Sequence, residues 1–175
     1  LNIIANERPG IFYDYDTSSI IYSEPNNAVV GIVAEGPNNN IGEIYNIYKI
    51  SDAETIFGNN QSITELCKIA IENGAYKIAA INIGDNEENY AQAFNKLKDT
   101  ENICVIICDS HNIETQTLLM QSVVSASENC KERIGIVAAP QDSNVSTWAS
   151  NFNCERIILV AQNPIDNDGN IKTGN

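Results

Sequence analysis

Short continuous runs of apolar residues recur along the chain, and they are separated by stretches in which apolar residues return every three or four positions. Continuous apolar runs of this length are typical of strands buried on both faces of a sheet. Five such runs lie at 28–34, 77–82, 103–108, 133–138 and 156–160. A further segment, Ile44 to Ile50, alternates loosely between apolar and polar residues and predicts one more short strand.

The stretches between these runs carry the start and stop signals of helices. In a capping box, the first side chain accepts a hydrogen bond from an orphan backbone N–H, and a Glu three residues later reaches back to the cap. Three pairs fit this pattern: Ser51 with Glu54, Ser62 with Glu65 and, more loosely, Asp85 with Glu88. The first helix is predicted to stop at Gly58 and the second at Gly74, since glycine often follows a helix end.

Each predicted helix has one apolar face that can pack against a sheet. A long helix, Ile113 to Glu128, connects the runs at 103–108 and 133–138, and a short one is predicted around Val145 to Phe152. The predicted inner faces are Ile63, Leu66, Cys67, Ala70 and Ile71 in the second helix, Tyr90, Phe94 and Leu97 in the third, and Leu119, Met120, Val123 and Val124 in the long one.

Strands therefore alternate with helices over most of the chain. Parallel strands joined by helices form right-handed crossovers that can cover both faces of the sheet. The sequence predicts an α/β fold with three layers, built on a mainly parallel sheet with helices on both faces. We expect an N-terminal arm or strand at 1–24, the α/β domain at 25–163, and a polar loop or truncated end at 164–175.

The charge of the chain excludes several classes of partner. Its 175 residues contain 10 Lys and Arg against 23 Asp and Glu, which gives a formal net charge of −13. Nucleic acid and anionic membrane surfaces are bound by clustered cations, so neither is an expected partner. No apolar run approaches the ~20 residues of a membrane span, so direct membrane insertion is not expected either.

The five cysteines are Cys67, Cys104, Cys108, Cys130 and Cys154, and their spacing matches no zinc site. Cys104 and Cys108 lie inside an apolar run, where cysteine acts as a small hydrophobic residue. We therefore predict no metal site and folding in a reducing compartment.

The strongest candidate for catalysis is "CDSHN", Cys108 to Asn112, which follows a predicted strand. Ligands of open α/β sheets favour that end of a strand. A small α/β hydrolase using Ser110 and His111, with Asp109 beside them, is the alternative function. However, a catalytic triad needs three converging groups, and adjacent residues in a turn point apart. We therefore favour a turn or helix cap and predict no catalytic residue and no enzyme activity.

A second polar segment, "AINIGDNEE" at 80–88, resembles no complete ligand motif. It lacks the ligand spacing of an EF-hand, and it contains neither a GxGxxG pattern nor a P-loop lysine. A receiver-like or nucleotide-binding module ranks last for the same reason, and no cofactor is predicted.

The chain opens with a β-prone segment ahead of any predicted core. Pro9-Gly10 is a turn signal, and it precedes Ile11, Phe12, Tyr13 and Tyr15. A lone strand of this kind needs a sheet edge to pair with. It can fold back on its own sheet, or it can add to the sheet of a neighbouring subunit by β-augmentation. The residues alone leave both possibilities open.

Several short pieces, in this order and at this spacing, carry a resemblance over nearly the whole chain: "RPGIFY" (8–13), "NNAVVGIVAEGPNN" (26–39), "ISDAETIFG" (50–58), "GAYKIAAINIG" (74–84), "ICVIICDSHN" (103–112), "KERIGIVAAP" (131–140) and "CERIILVAQN" (154–163). With these pieces the chain resembles the tail sheath proteins of contractile phages and R-type bacteriocins. The Asn- and Ile-rich usage is similar to that of a clostridium, which would suit a diffocin-like bacteriocin sheath.

The resemblance implies a subtilisin-like α/β domain without protease activity. It implies that subunits polymerise as a helical homo-oligomer around an inner tail tube protein, attach to a baseplate, and drive the tube through a cell envelope on contraction. Assembly would occur in the bacterial cytoplasm, before release as a phage tail or bacteriocin particle. The arm that links subunits would comprise Arg8, Pro9, Gly10, Ile11, Phe12, Tyr13 and Tyr15. Family members continue into a second lobe that accepts partner strands, so we expect this chain to be a truncated piece.

Overall fold

A computed structural model describes residues 28–140 and 143–161 of the chain. The arm residues Arg8, Pro9, Gly10, Ile11, Phe12, Tyr13 and Tyr15 lie outside this part, as do the predicted segments 1–24 and 164–175. Among the described residues, no helix is long and apolar enough to cross a membrane. The division into three segments and the role of the arm therefore stay predictions.

The described residues form one six-stranded sheet with the strand order β2-β3-β1-β4-β5-β6. The strands are β1 Val29–Ala34, β2 Ile44–Ile47, β3 Lys77–Asn82, β4 Ile103–Cys108, β5 Ile134–Ala138 and β6 Ile157–Val160. All neighbouring pairs are parallel except β2 and β3, which are antiparallel. The predicted mainly parallel sheet is confirmed, and the bounds of β3 and β4 are those predicted from their apolar runs. The strand predicted from Ile44 to Ile50 ends at Ile47, because a helix begins at Ile50.

In the described part of the chain, five helices accompany the sheet: α1 Ile50–Phe57, α2 Ser62–Glu72, α3 Asn89–Asp99, α4 Ile113–Glu128 and α5 Val145–Ala149. The long helix α4 has the predicted bounds. Gly58 follows α1 with φ 83°, and Gly74 lies just beyond α2 with φ 95°, as the stop signals predicted. The short helix α5 ends before Phe152, which instead packs into the core.

The three predicted capping boxes are wrong in detail. Helix α1 begins at Ile50, and the Asp52 carboxylate accepts from the backbone N–H groups of Tyr48 and Lys49 at 3.2 and 3.1 Å. The residue before α2 is Gln61, and its helix starts at Ser62. Helix α3 starts only at Asn89, after a turn. Each polar cluster did mark a helix start, but Ser62 is the first residue of its helix and its hydroxyl donates to Asp109 instead of capping.

The two faces of the sheet are covered by different helices. Helices α3, α4 and α5 pack on one face, in a core that includes Phe94, Leu97, Leu119 and Phe152. Helices α1 and α2 pack on the other face with Phe57, Ile63 and Cys67, among other residues. The predicted inner-face residues of α3 are all buried. In α4, Leu119 and Val123 are buried but Val124 is 38% exposed, which corrects its predicted inward position.

Helices α1 and α2 cover only half of their face. The strands β2, β3 and β1 lie beneath them and Ile107 of β4 packs against the same core, whereas β5 and β6 have no helix on this side among the described residues. Strand register places a continuous set of apolar side chains there. We call this set the open face; it comprises Val105, Ile134, Ile136, Ala138, Ile158 and Val160. The predicted third layer is therefore present over only part of the sheet.

Candidate functional site

A cleft of about 870 Å³ opens at the carboxyl ends of the central strands. Its walls come from the residue after β1, from the start of α2, from α3 and its preceding loop, and from the loop after β4. The chain moves from β1 to β3 on one side and then returns to β4 on the other, so the strand order reverses between β1 and β4. Ligands of open α/β sheets bind at such a switch point.

Asp109 organises the cleft from the end of β4. Its Oδ2 accepts from the backbone N–H of Glu35 at 2.9 Å and from the hydroxyl of Ser62 at 2.5 Å. Its Oδ1 accepts from the hydroxyl of Tyr90. One carboxylate thus links the loop after β1 to helices from both faces of the sheet. Charge-assisted hydrogen bonds are stronger than neutral ones, so these three bonds hold the walls of the cleft together. The role of Asp109 is therefore structural.

The cleft is acidic. Glu35, Glu65, Glu87 and Asp109 all line it. Partial burial, and then the charges of Asp109, Glu87 and Asp85, raise the pKa of Glu35 above its usual value. Burial and the neighbouring Asp109 also raise the pKa of Tyr90, so its phenol stays protonated and donates. An arrangement of this kind disfavours anionic ligands such as phosphates, because each would meet uncompensated negative charge.

The segment Asp109, Ser110 and His111 does not form a catalytic triad. The Asp109 carboxylate faces Ser62 and Tyr90, as described above. The Ser110 Oγ accepts from the backbone N–H of Asn112 at 3.1 Å, and the Nδ1 of His111 lies 3.4 Å from the carbonyl of Ala138. Within the described residues, no hydrogen bond joins Ser110 to His111. The three side chains have separate partners, as expected for a turn, and the hydrolase arrangement lacks its nucleophile–base contact.

The turn also caps the next helix, as the sequence predicted. The Asn112 side chain accepts from the backbone N–H of Glu114 at 2.9 Å, which satisfies one orphan donor of α4.

Gln116 holds the loop after β4 in place, and it was not among the functional residues that the sequence predicted. It is fully buried, and its Nε2 donates to the carbonyls of Ser110 and Ala138 at 3.0 and 2.7 Å. Its Oε1 accepts from the indole N–H of Trp148 at 3.2 Å. A signal was available, because position 116 precedes Leu119 by three residues and lies on the inner face of α4.

Asn82 plays the corresponding role at the end of β3. It is fully buried, and its Nδ2 donates to the carbonyls of Pro37 and Asn39, both at 2.7 Å. Its Oδ1 accepts from the backbone N–H of Gly84 at 2.8 Å. This satisfied network fixes the loop after β1 beside the cleft.

Two cysteines, Cys67 and Cys108, have thiols that their surroundings make unreactive. Burial raises the pKa of Cys67 and of Cys108 to about 12, so neither forms a reactive thiolate near neutral pH. In the part of the chain that the structure describes, no group of three or more His, Cys, Asp or Glu side chains has the arrangement of a metal site.

No protein-family profile and no curated protein matches the chain. Solved structures do match it. The chain is similar to one in the helical sheath of the anti-feeding prophage (AFP) in its contracted state, with a TM-score of 0.59 and 15% identity over 90% of this chain and 46% of that one. It is also similar to chains in the six-fold symmetrised AFP baseplate (TM-score 0.57, 13% identity, 91% and 48% covered) and the contracted AFP baseplate (0.55, 11%, 95% and 50%).

These similarities concern the fold. The chain spans about half the length of the solved structures that it matches. At identities of 11–15% the shared property is the α/β architecture. The matched chains come from a sheath and from baseplates, and a tail sheath protein is what the resemblance in the sequence implied.

Proposed function

We propose that this chain forms part of a structural subunit of a contractile tail sheath. The observation that carries the proposal is the similarity of its fold, over 90% of the chain, to a chain of the AFP helical sheath. The order of short sequence pieces supports the same assignment independently. The acidic cleft, with its side chains engaged in structural hydrogen bonds, gives no competing indication of a reaction.

In this proposal the N-terminal arm links neighbouring subunits. The residues Arg8 to Tyr15 of one subunit would pair, as a strand, with the sheet of the next. Backbone hydrogen bonds of this kind give affinity while leaving the domains free to rotate about the link. The partners are other copies of the subunit, the inner tail tube protein and the baseplate. An R-type bacteriocin particle of the diffocin kind is the assembly we favour.

Contraction would release energy that was stored at assembly. The extended polymer is held by few contacts, including contacts to the inner tube, and the contracted polymer makes more contacts between subunits. A trigger at the baseplate frees the first ring, and the change propagates through the linked arms. Two states that differ only in contacts need no fuel at the moment of switching. A requirement for ATP in contraction would contradict this mechanism.

The test is electron microscopy of the protein as its gene encodes it, produced alone and together with its inner tube protein. We expect helical tubes. Deletion of residues 1–15, or Ile11→Pro, should stop polymerisation while the circular dichroism spectrum of the domain stays unchanged, because proline removes a donor from a pairing strand. Asn170→Pro, in the polar segment 164–175, is the matched control and should leave the tubes intact.

The same protein preparation distinguishes the sheath proposal from the alternative, a hydrolase using Ser110 and His111. A broad serine-directed probe should not label the protein, and His111→Ala should change no turnover. A protein that stays monomeric under all conditions and is labelled at Ser110 would replace the sheath proposal with the hydrolase.

A further inference from the structure

The open face is an apolar surface that no described element covers. On it Ile134, Ile158 and Val160 are 41%, 50% and 42% exposed, respectively. The register pairs Ile136 with Ile158 and Ala138 with Val160, so these side chains form one contiguous patch. Scattered exposed apolar residues are normal, but a contiguous patch on a sheet face marks a contact surface.

We propose that the chain's own N-terminal segment covers the open face, with Ile20, Ile21 and Tyr22 packed on β5 and β6. These three residues are the apolar cluster that lies closest to β1 in the part of the chain outside the described residues. Burying them against Ile134 and Ile158 would remove apolar surface from water on both sides of the contact, at roughly 25 cal/mol per Å².

The length of the connection fits this contact. Neighbouring strands lie about 4.8 Å apart, so β6 is about 14 Å from β1 across the sheet. Six Cα steps separate Tyr22 from Ala28, and an extended chain covers about 20 Å in that distance. Because β1, β4, β5 and β6 are parallel, the segment enters at the edge where β5 and β6 begin. Ile134, the first residue of β5, lies at that edge.

Among the occupants that the given sequence supplies, two others fit less well. The segment 162–175 follows β6 directly, but Ile165 and Ile171 are its only large apolar residues. A second copy would have to dock through a patch of only a few side chains. Stable protein interfaces use about 20–30 residues on each partner, which is more than the few residues of the open face.

Photo-crosslinking of the full chain tests the contact. Ile158 is replaced by p-benzoylphenylalanine, the protein is irradiated, and mass spectrometry identifies the joined peptides. We expect crosslinks to residues 16–27 of the same chain. Val124→p-benzoylphenylalanine is the matched control, because Val124 is 38% exposed on α4, which packs on the opposite face, and it should give no such product. Crosslinks from position 158 only to a second copy, or none at all, would overturn the proposal.

A second measurement does not depend on the crosslinker. The triple change Ile20→Ser, Ile21→Ser and Tyr22→Ser should at least double the fluorescence of an apolar-surface dye, whereas Ile3→Ser with Ile4→Ser should not. Unchanged dye binding would contradict the contact. Deletion of residues 1–15 keeps the contact but removes the polymerisation arm, so failure of this inference and failure of the sheath proposal give different results.

Discussion

The two halves of one sheet face differ in burial although their residue types are the same. On β1 and β3, Ile32 and Ile78 beneath α1 and α2 are both 0% exposed. On β5 and β6, Ile134 and Ile158 of the same face are 41% and 50% exposed. Both halves are apolar β-branched strands. The difference comes from the layer above them, since helices cover one half and no described element covers the other.

The route of the chain explains this division. Parallel crossovers are right-handed, so the direction in which the chain moves across the sheet decides the face on which its helix packs. From β1 to β3 the chain moves one way, through α1 and α2. From β3 to β4, β5 and β6 it moves the other way three times, through α3, α4 and α5. One face therefore receives three helices and the other receives two, both at one end.

The largest effect should come from the covered half. Ile32→Ala removes buried methyl groups beneath α2 and leaves a cavity, and it should lower the free energy of unfolding by about 3 kcal/mol. In the background of the Ile20→Ser, Ile21→Ser and Tyr22→Ser changes, which remove the proposed cover, the matched change on the open face, Ile158→Ala, should cost less than half as much, because half of that side chain then contacts solvent. Urea denaturation of both variants checks the difference. Equal losses would show that both halves are covered to the same extent.

The fold could be predicted from the sequence to the level of elements. Apolar runs and helical spacing located the six strands and five helices that the structure describes, because burial on two faces leaves a local pattern. The open half of the face could not be predicted, since an apolar run is the same whether a helix covers it or not. The prediction that Val124 faces inward was wrong for a related reason. Helical periodicity locates the apolar face of α4, but how far the buried part of that face extends depends on the neighbouring helix.

The cleft could be predicted only in part. The sequence predicted both the position of "CDSHN" after β4 and its role as a turn, because local hydrogen bonding governs both. The contact of Asp109 with Ser62 and Tyr90 joins residues 47 and 19 positions apart, and no local pattern carries it. Ser62 instead suggested a helix cap, because a hydroxyl at a helix start fits that role equally well from sequence.

The second prediction concerns the border between the two halves, where Asp109 joins β1, α2 and α3. Asp109→Ala removes the acceptor of three donors and should lower the free energy of unfolding by about 2 kcal/mol. Ser110→Ala, the neighbouring change, should cost under about 0.5 kcal/mol, because its hydroxyl only accepts within the turn. Thermal and urea unfolding measure both. A larger loss for Ser110→Ala than for Asp109→Ala would contradict the structural role of the carboxylate.

The third prediction compares the two faces of β5. A Cβ added at Gly135 would lie 2.4 Å from Leu119 Cδ2 and 2.7 Å from Ile157 Cδ1. Gly135→Ala should therefore cost about 1.5 kcal/mol, because overpacking forces side chains from their rotamers. Ile134→Val, on the open face of the same strand, should cost about 0.5 kcal/mol. If Gly135→Ala were neutral, α4 would pack on this strand more loosely than the structure has it.

The smallest effect should appear as a dependence on pH. The pKa of Glu35 is raised in the folded protein, mainly by partial burial and then by Asp109, Glu87 and Asp85. The folded state therefore holds this proton more tightly than the unfolded state, so ionisation of Glu35 costs stability as pH rises through the folded pKa. Glu35→Gln removes that cost. The variant should be more stable than the parent at pH 7 and equal to it well below pH 4.5, the ordinary value.

The gain at pH 7 should stay under about 0.5 kcal/mol, because Glu35 is exposed and solvent screens its neighbours. Glu54→Gln on the exposed side of α1 removes the same charge from the total and is the matched control. Urea denaturation at pH 7 and pH 3.5 should show a difference between the two variants only at the higher pH. If Glu54→Gln gained as much, relief of the overall negative charge would account for the effect, and the cleft carboxylates would not interact more strongly than those elsewhere on the surface.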